Sequence, residues 1–188
     1  KAEALGLKNS AFKNSTGLPD AGHFMSVRDL SLLARHIVYE HPERYKLYAE
    51  GKFTWNKIEQ ANRNPLLKDY AGAEGMKTGF TKEAGYGLVG TVQRDGRKLI
   101  MVVAGLKSAN ERKLEAQKLL DWGFRQFKTA DVFEKDEVVA EARVWGGVEN
   151  WVELRTAQAF QVALTPQEQK TVEMKLSYNG PLLAPVKA

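Results

Sequence analysis

Cysteine is absent from this chain. That excludes disulfides, zinc–thiolate sites and cysteine nucleophiles, and it fits any compartment, oxidising ones included. Histidine is scarce. His23, His36 and His41 are the only three, and they lack the spacing of metal ligands, so no metal and no cofactor is expected. No apolar run approaches a membrane span, and no signal peptide opens the chain. The net charge is +5, but no run of Lys and Arg exceeds two residues. Nucleic acid is therefore not an expected partner. No internal repeat or low-complexity tract is present.

What remains is ordinary globular material. The 188 residues are 43% hydrophobic and 27% charged, enough for one full domain and a small second one. The chain opens in what reads as the tail of a helix and stops without a clear terminal element. It reads as a piece of a longer protein.

Leu5-Gly6-Leu7-Lys8-Asn9 looks like a helix end with a glycine cap, and Asn14 to Gly22 is turn-forming. Ser26 starts a helix, with Asp29 as a capping-box variant and Met25 stapling onto Leu30. Val27, Leu30, Leu33, Ala34, Ile37 and Val38 keep helical spacing. His41-Pro42 ends that helix, and Pro42 opens a short second one through about Ala49. Phe53 to Ile58 alternates like one strand, and Asn62 to Pro65 is a loop. Tyr86–Arg94 and Arg97–Leu106 are apolar runs joined by Asp95-Gly96, a hairpin signal. Leu99 to Ala104 is continuously apolar, which places it centrally, buried on both faces. A second long helix starts at Ser108, with Glu111 completing a capping box. Its apolar stripe is Ala116, Leu119, Leu120, Gly123, Phe124 and Phe127.

The texture changes after about Lys128. Residues 1–128 read as an α+β domain, helices on an antiparallel sheet. Residues 129–188 read as a small all-β domain, with runs at Val138–Trp145, Trp151–Leu154, Phe160–Leu164 and Thr171–Tyr178. Four short strands make a thin core, so further strands are expected beyond Ala188.

Glu74-Gly75-Met76-Lys77-Thr78-Gly79-Phe80-Thr81 carries the chemistry. Lys77 brings a cation. The Thr78 hydroxyl can bind a carboxylate. Gly79 has no Cβ, so a ligand can lie close to the backbone. The Phe80 amide can then point at a developing oxyanion. Lys-Thr-Gly alone is a weak signal, but it is one of the three motifs shared by penicillin-binding proteins and serine β-lactamases.

The order and spacing of further motifs strengthen it. They are Leu5-Gly6-Leu7-Lys8-Asn9 with Gly17-Leu18, Ser26-Val27-Arg28-Asp29-Leu30, Phe53-Thr54-Trp55-Asn56-Lys57, and Asn62-Arg63-Asn64 before Leu66-Leu67. Gly75 to Gly79, Gly85-Tyr86-Gly87-Leu88-Val89 and Leu119 to Phe124 continue the series. Over nearly its whole length the chain resembles the D-alanyl-D-alanine carboxypeptidases of the low-molecular-mass penicillin-binding proteins. The resemblance implies part of a transpeptidase-like domain, followed by a small all-β domain. It also implies that residue 1 falls just after the family's Ser-x-Asn motif. The nucleophilic serine and base lysine of Ser-x-x-Lys then lie upstream, so no catalytic residue is expected in this chain. Substrate-binding roles fall to Lys77, Thr78, Gly79, Phe80, Arg112 and Arg63. Phe80 stands where relatives often have a small or polar residue.

Ser10-Ala-Phe-Lys13 matches Ser-x-x-Lys, but the chemistry wants serine opening a helix, and Ser10 lies in a loop. Ser108-Ala-Asn110 follows Lys77 instead of preceding it and is explained as a helix cap. Gly85 to Gly90 matches a dinucleotide fingerprint, but a hairpin follows where a helix is needed. Arg112 sits in a helix's first turn, where a cation opposes the dipole. A solvated or ion-paired arginine is the plain alternative. Arg63 pairs equally well with Asp20 on sequence grounds. His36 reads as structural. Trp145 and Trp151 read as cross-strand packing.

The function expected from the resemblance is a serine carboxypeptidase acting on peptidoglycan stem peptides ending in D-Ala-D-Ala, with β-lactam antibiotics as covalent inhibitors. Its alternatives are a D,D-endopeptidase, a β-lactamase, or a non-catalytic cell-wall-binding protein of the same fold. Expected partners are the missing N-terminal part, anionic cell-wall polymer and an anionic membrane surface. The expected location is periplasmic or cell-envelope, on the outer face of the cytoplasmic membrane.

Overall fold

The structure, a computed structural model, describes residues 1–186. It resolves into two compact units, one of Lys1–Gly123 and one from Phe124 onward.

In the first unit, a 3₁₀ turn at Glu3–Leu5 ends on Gly6, whose left-handed backbone (φ 70°) returns its N–H to the Glu3 carbonyl. Strands β1 (Ser10–Ala11) and β2 (Phe24–Met25) pair and lead into α1 (Val27–Glu40). Ser26 caps α1 by accepting from the Asp29 amide. The expected capping box does not close. The Ser26 amide goes to the Asn9 carbonyl, and the Asp29 carboxylate takes the Asn9 amide at 2.7 Å instead. Aspartate is one methylene shorter than the glutamate that normally makes this return bond. Pro42 opens α2 (Pro42–Tyr45), which runs into a 3₁₀ turn at Lys46–Ala49.

The stretch read as one strand from Phe53 to Ile58 is a hairpin. Strands β3 (Lys52–Trp55) and β4 (Ile58–Ala61) pair across Asn56 (φ 47°) and Lys57 (φ 64°). Two positive φ values in a two-residue loop mark a type I′ turn. A short helix, α3 (Leu66–Asp69), precedes the main sheet.

That sheet is antiparallel, in the order β5 (Ala73–Thr81), β6 (Gly85–Arg94), β7 (Arg97–Leu106). The β6–β7 turn is Asp95-Gly96, both at positive φ. Strand β6 is central. Among the described residues β7 pairs only with β6, so the run Leu99 to Ala104 is not central in this sheet as its composition implied, and Met101 is its one buried residue. Apolar, β-branched composition signals burial but not strand order. Consecutive hairpins put the middle strand in the middle.

Side chains alternate across the sheet. Val89 and Ile100 face α1 and pack near Ala34 and Val38. Tyr86 has the opposite parity on β6, and it meets α4 (Ala109–Gln126). Leu99, the register partner of Val92, shares that second face. A Cβ on Gly123 of α4 would lie 2.9 Å from the Leu99 side chain, so glycine lets helix and sheet approach. The buried face of α4 is Arg112, Ala116, Leu120 and Gly123. Leu119 is 38% exposed and Phe127 lies past the helix end, so the buried stripe is narrower than expected and begins with an arginine. Sheet, α1 and α4 form an α+β layer structure.

The second unit is mostly β. Strand β8 (Lys128–Phe133) will pair with a later strand, and β9 (Val138–Trp145) pairs antiparallel with β10 (Trp151–Arg155). Strand β11 (Phe160–Leu164) joins β8. The expected strand at Thr171–Tyr178 is absent. A short helix, α5 (Glu168–Thr171), stands there, then irregular chain up to β12 (Leu182–Leu183), which pairs with β9. Thr165 and Glu168 explain the helix. The Thr165 hydroxyl accepts from the Glu168 amide, and the Glu168 carboxylate accepts from the Thr165 amide. Trp151 stands opposite Arg143, so it is not the cross-strand partner of Trp145. Both rings are exposed.

Candidate active site

Strand β5 is an edge strand among the described residues and pairs only with β6. Its register sets Lys77 opposite Val89, Thr78 opposite Leu88, Gly79 opposite Gly87 and Phe80 opposite Tyr86. Val89 faces α1, so Lys77 shares that face. Thr78 and Phe80 share the α4 face. Lys77 and Phe80 are exposed and Thr78 is half-buried. The Lys77 ammonium donates to the Thr78 carbonyl and meets no carboxylate among the described residues. A Cβ on Gly79 would have nothing within 4 Å. Packing among the described residues therefore does not demand glycine there, and the backbone beside it is open.

The start of β5 is anchored away from that open edge. Tyr45 Oη lies 2.8 Å from Glu74 Oε2 and 2.7 Å from Thr91 Oγ1. Lys98 Nζ sits 2.6 Å from the same Glu74 oxygen and 4.9 Å from the Tyr45 ring centroid. Burial pushes the Tyr45 hydroxyl well above its ordinary value of 10.0; the Thr91 bond opposes this, and Glu74 adds to it. Glu74 has no register partner, because the ladder shifts between Ala73 and Gly75. The side-chain network holds the residue that the ladder leaves out. Sequence reading missed it. Its four members, Tyr45, Glu74, Thr91 and Lys98, lie on four separate elements, and no local pattern joins them.

Arg112 is in the first turn of α4 and only 8% exposed. No carboxylate meets it among the described residues, and its Nε is buried without a hydrogen-bond partner. Among the described residues Arg112 is therefore neither solvated nor ion-paired. Burial lowers the Arg112 pKa from its ordinary 12.5, with Tyr86 acting in the opposite sense. An arginine keeps its charge regardless. Its guanidinium carbon lies 5.6 Å from the Tyr86 ring centroid, within cation–π range. The Tyr86 ring in turn lies 4.3 Å from the Phe80 ring, at 36°. A buried cation is thus linked through the Tyr86 ring to Phe80, the residue after Lys-Thr-Gly.

Arg63 is exposed, and the suggested pairing with Asp20 is not formed. No contact among the described residues joins it to Lys77. Ser10 lies in β1, not at a helix start. Gly85 to Gly90 lies within β6, with no helix after it. Ser108 caps α4 by accepting from the Glu111 amide, but the expected capping box does not close on Ser108: the Glu111 carboxylate accepts from the Lys107 amide, one residue earlier. His36 packs edge-on to His41. No helix among the described residues is long and apolar enough to cross a membrane.

Lys-Thr-Gly on the open edge strand of a helix-flanked antiparallel sheet is a feature this chain shares with the penicillin-binding proteins and serine β-lactamases. Within that class the assignment is specific. The D-alanyl-D-alanine carboxypeptidase pattern matches residues 1–108, and that of the penicillin-binding protein 5 C-terminal domain matches residues 127–188. The chain belongs to the D-alanyl-D-alanine carboxypeptidase family.

D-alanyl-D-alanine carboxypeptidase DacA of Haemophilus influenzae is 39% identical over 175 residues, covering 92% of this chain and 44% of the relative. DacD of Escherichia coli is 39% identical over 189 residues, covering 100% of this chain and 49% of the relative. The crystal structure of penicillin binding protein 5 from Haemophilus influenzae superposes with a TM-score of 0.83 at 37% identity, over 98% of this chain and 54% of that one. Penicillin-binding protein D2 of Listeria monocytogenes in its cefotaxime-bound form gives 0.61 at 33% identity, over 65% and 51%. The chain spans about half the length of the curated relatives it matches.

Proposed function

We propose that the protein carrying this chain is a serine-type D-Ala-D-Ala carboxypeptidase that trims peptidoglycan stem pentapeptides. The observation that carries the reading is Lys77-Thr78-Gly79 on an open strand edge, with the space beside Gly79 clear. The nucleophilic serine and its base lysine belong to the part of the relatives' length that this chain does not span. The serine oxygen adds to the penultimate D-Ala carbonyl, the terminal D-Ala leaves as the amine, and water hydrolyses the acyl-enzyme.

In this reading the chain supplies one wall of the site. An extended peptide lies along β5 as an added strand. Lys77 provides a positive field. Thr78 and Arg112 bind the terminal carboxylate, each charge-assisted bond contributing about 1.5–3 kcal/mol. The Phe80 amide gives half of an oxyanion hole, where one donor lowers the barrier by about 2.7–4 kcal/mol. Arg63 is kept as a substrate-binding residue on the family resemblance alone. Residues 1–128 form part of the catalytic domain, and residues 129–188 belong to a β domain.

The reading places the protein in the cell envelope, on the periplasmic side and peripheral to the membrane. Residues 1–123 hold 20 of the 28 basic residues and 14 of the 23 acidic ones. The positive excess therefore sits on the first unit and suits anionic cell-wall polymer or lipid there.

Fluorescent penicillin tests the reading. The full-length protein forms a stable covalent adduct, on a serine outside this chain. Absence of an adduct removes the carboxypeptidase, and an adduct on Ser10 removes the assignment of the nucleophile.

A further inference from the structure

Two ring contacts share one residue. Tyr86 lies under the Arg112 guanidinium on one count and beside the Phe80 ring on the other. Arg112 has no carboxylate partner to hold it among the described residues, and its Nε makes no hydrogen bond. A buried arginine is usually fixed by a bidentate carboxylate. Here the contact that remains is the face of an aromatic ring. That face attracts the cation without neutralising it. A carboxylate in the same place would compete directly with an anionic ligand.

We propose that Tyr86 is the positioning residue for Arg112: its ring, braced against Phe80, holds the guanidinium in place while leaving its charge and donors free for a ligand carboxylate. Phe80 acts one step further out. It is 57% exposed and sits directly opposite Tyr86 in the β5–β6 register. It shields one flank of the tyrosine ring at the end of the motif strand. A small side chain would leave the ring without that brace.

The inference rests on the carboxylate-binding reading of Arg112, and the test separates the two. In the full-length protein, KM is measured for a peptide ending in a free carboxylate and for its C-terminal amide. Arg112→Ala raises KM for the acid selectively; equal effects on acid and amide would mean that the reading of Arg112 fails. Given a selective Arg112 effect, Tyr86→Leu raises KM for the acid by about 2- to 30-fold with the amide unmoved, the range that a cation–π contact is worth. Tyr86→Phe, which keeps the ring and loses the hydroxyl, restores it to within about two-fold.

Should Tyr86→Leu not fold, phenylalanine and its 3,5-difluoro and 3,4,5-trifluoro analogues in place of Tyr86 keep the shape and drain the ring face. KM for the acid then climbs with fluorination. A flat fluorination series, or a Tyr86→Leu effect shared by acid and amide, overturns the positioning role even if Arg112 keeps its own.

Discussion

The Ser10 hydroxyl donates a 2.6 Å hydrogen bond to Asp29 Oδ2. This bond connects β1 to the first turn of α1, and it gives Ser10 a structural role. The Ser10 bond is the main cause holding the Asp29 carboxyl below its ordinary 3.8; burial opposes it, and the Asn9 amide and Ser26 assist. A carboxyl depressed in the folded state contributes stability above its unfolded value. That contribution fades as pH falls through the folded value. Asp29→Asn should therefore lower Tm at pH 7, and the gap from the parent should close below about pH 3.8. Ser10→Ala should show the same trend more weakly and leave penicillin labelling of the full-length protein unchanged. A gap that persists undiminished at pH 2 would count against the assignment.

Much of this unit was legible from its sequence because its signals are local. Gly6 at a helix end, Ser26 before α1, Asp95-Gly96 between two apolar runs and Ser108 with Glu111 each state their own geometry. The motif strand was legible through its residue types. The failures share a physical cause. Leu99 to Ala104 announces burial, but neighbours set strand order. Arg112 sits on a buried stripe because Tyr86 on β6 meets it, and nothing around position 112 says so. Thr165-Pro166-Gln167-Glu168 was a readable exception. It has the Ser/Thr-x-x-Glu form of a capping box with proline early in the turn, and it marks the start of α5, next to the run that predicts a strand at 171–178.

Tyr45 bridges Glu74 and Thr91, and the Thr91 side chain is fully buried. Tyr45→Phe keeps the ring and removes the bridging hydroxyl. It should destabilise the fold by about 1–3 kcal/mol, the cost of leaving buried polar groups short of a partner, read as a shift in urea midpoint. Tyr45 has a pKa raised by folding, so its contribution is full below pH 10 and falls as pH rises above it. The difference between parent and Tyr45→Phe should shrink in that alkaline window. A constant difference would show that the hydroxyl is not the group involved.

The β3–β4 turn offers a gain in stability. Lys57 holds φ 64°, a conformation that burdens any side chain and suits glycine. Lysine there also hid the hairpin, since Asn-Gly is the sequence that announces a type I′ turn. Lys57→Gly should stabilise the chain by about 0.5–1 kcal/mol. Urea unfolding measures it, and a loss of stability would mean the turn has another form in solution.

Gly79 separates stability from function most cleanly. Many glycines in this fold are required by their own surroundings. At Gly72, for example, φ is +79° and a Cβ would fall 2.2 Å from the Gln93 carbonyl oxygen. Gly79 is different, because a Cβ there meets nothing within 4 Å and no positive φ burdens it. Gly79→Ala should leave Tm within about 1 °C of the parent, as expected for an exposed site free of strain. If substrate lies along β5, however, the new methyl stands between the backbone and the peptide. A displacement of about 1 Å in a reacting group costs on the order of 100-fold, so acylation by penicillin and turnover of the peptide should fall by at least about ten-fold. A variant that melts like the parent and reacts like the parent would show that no ligand approaches this stretch of backbone, and the proposed site would have to be sought elsewhere.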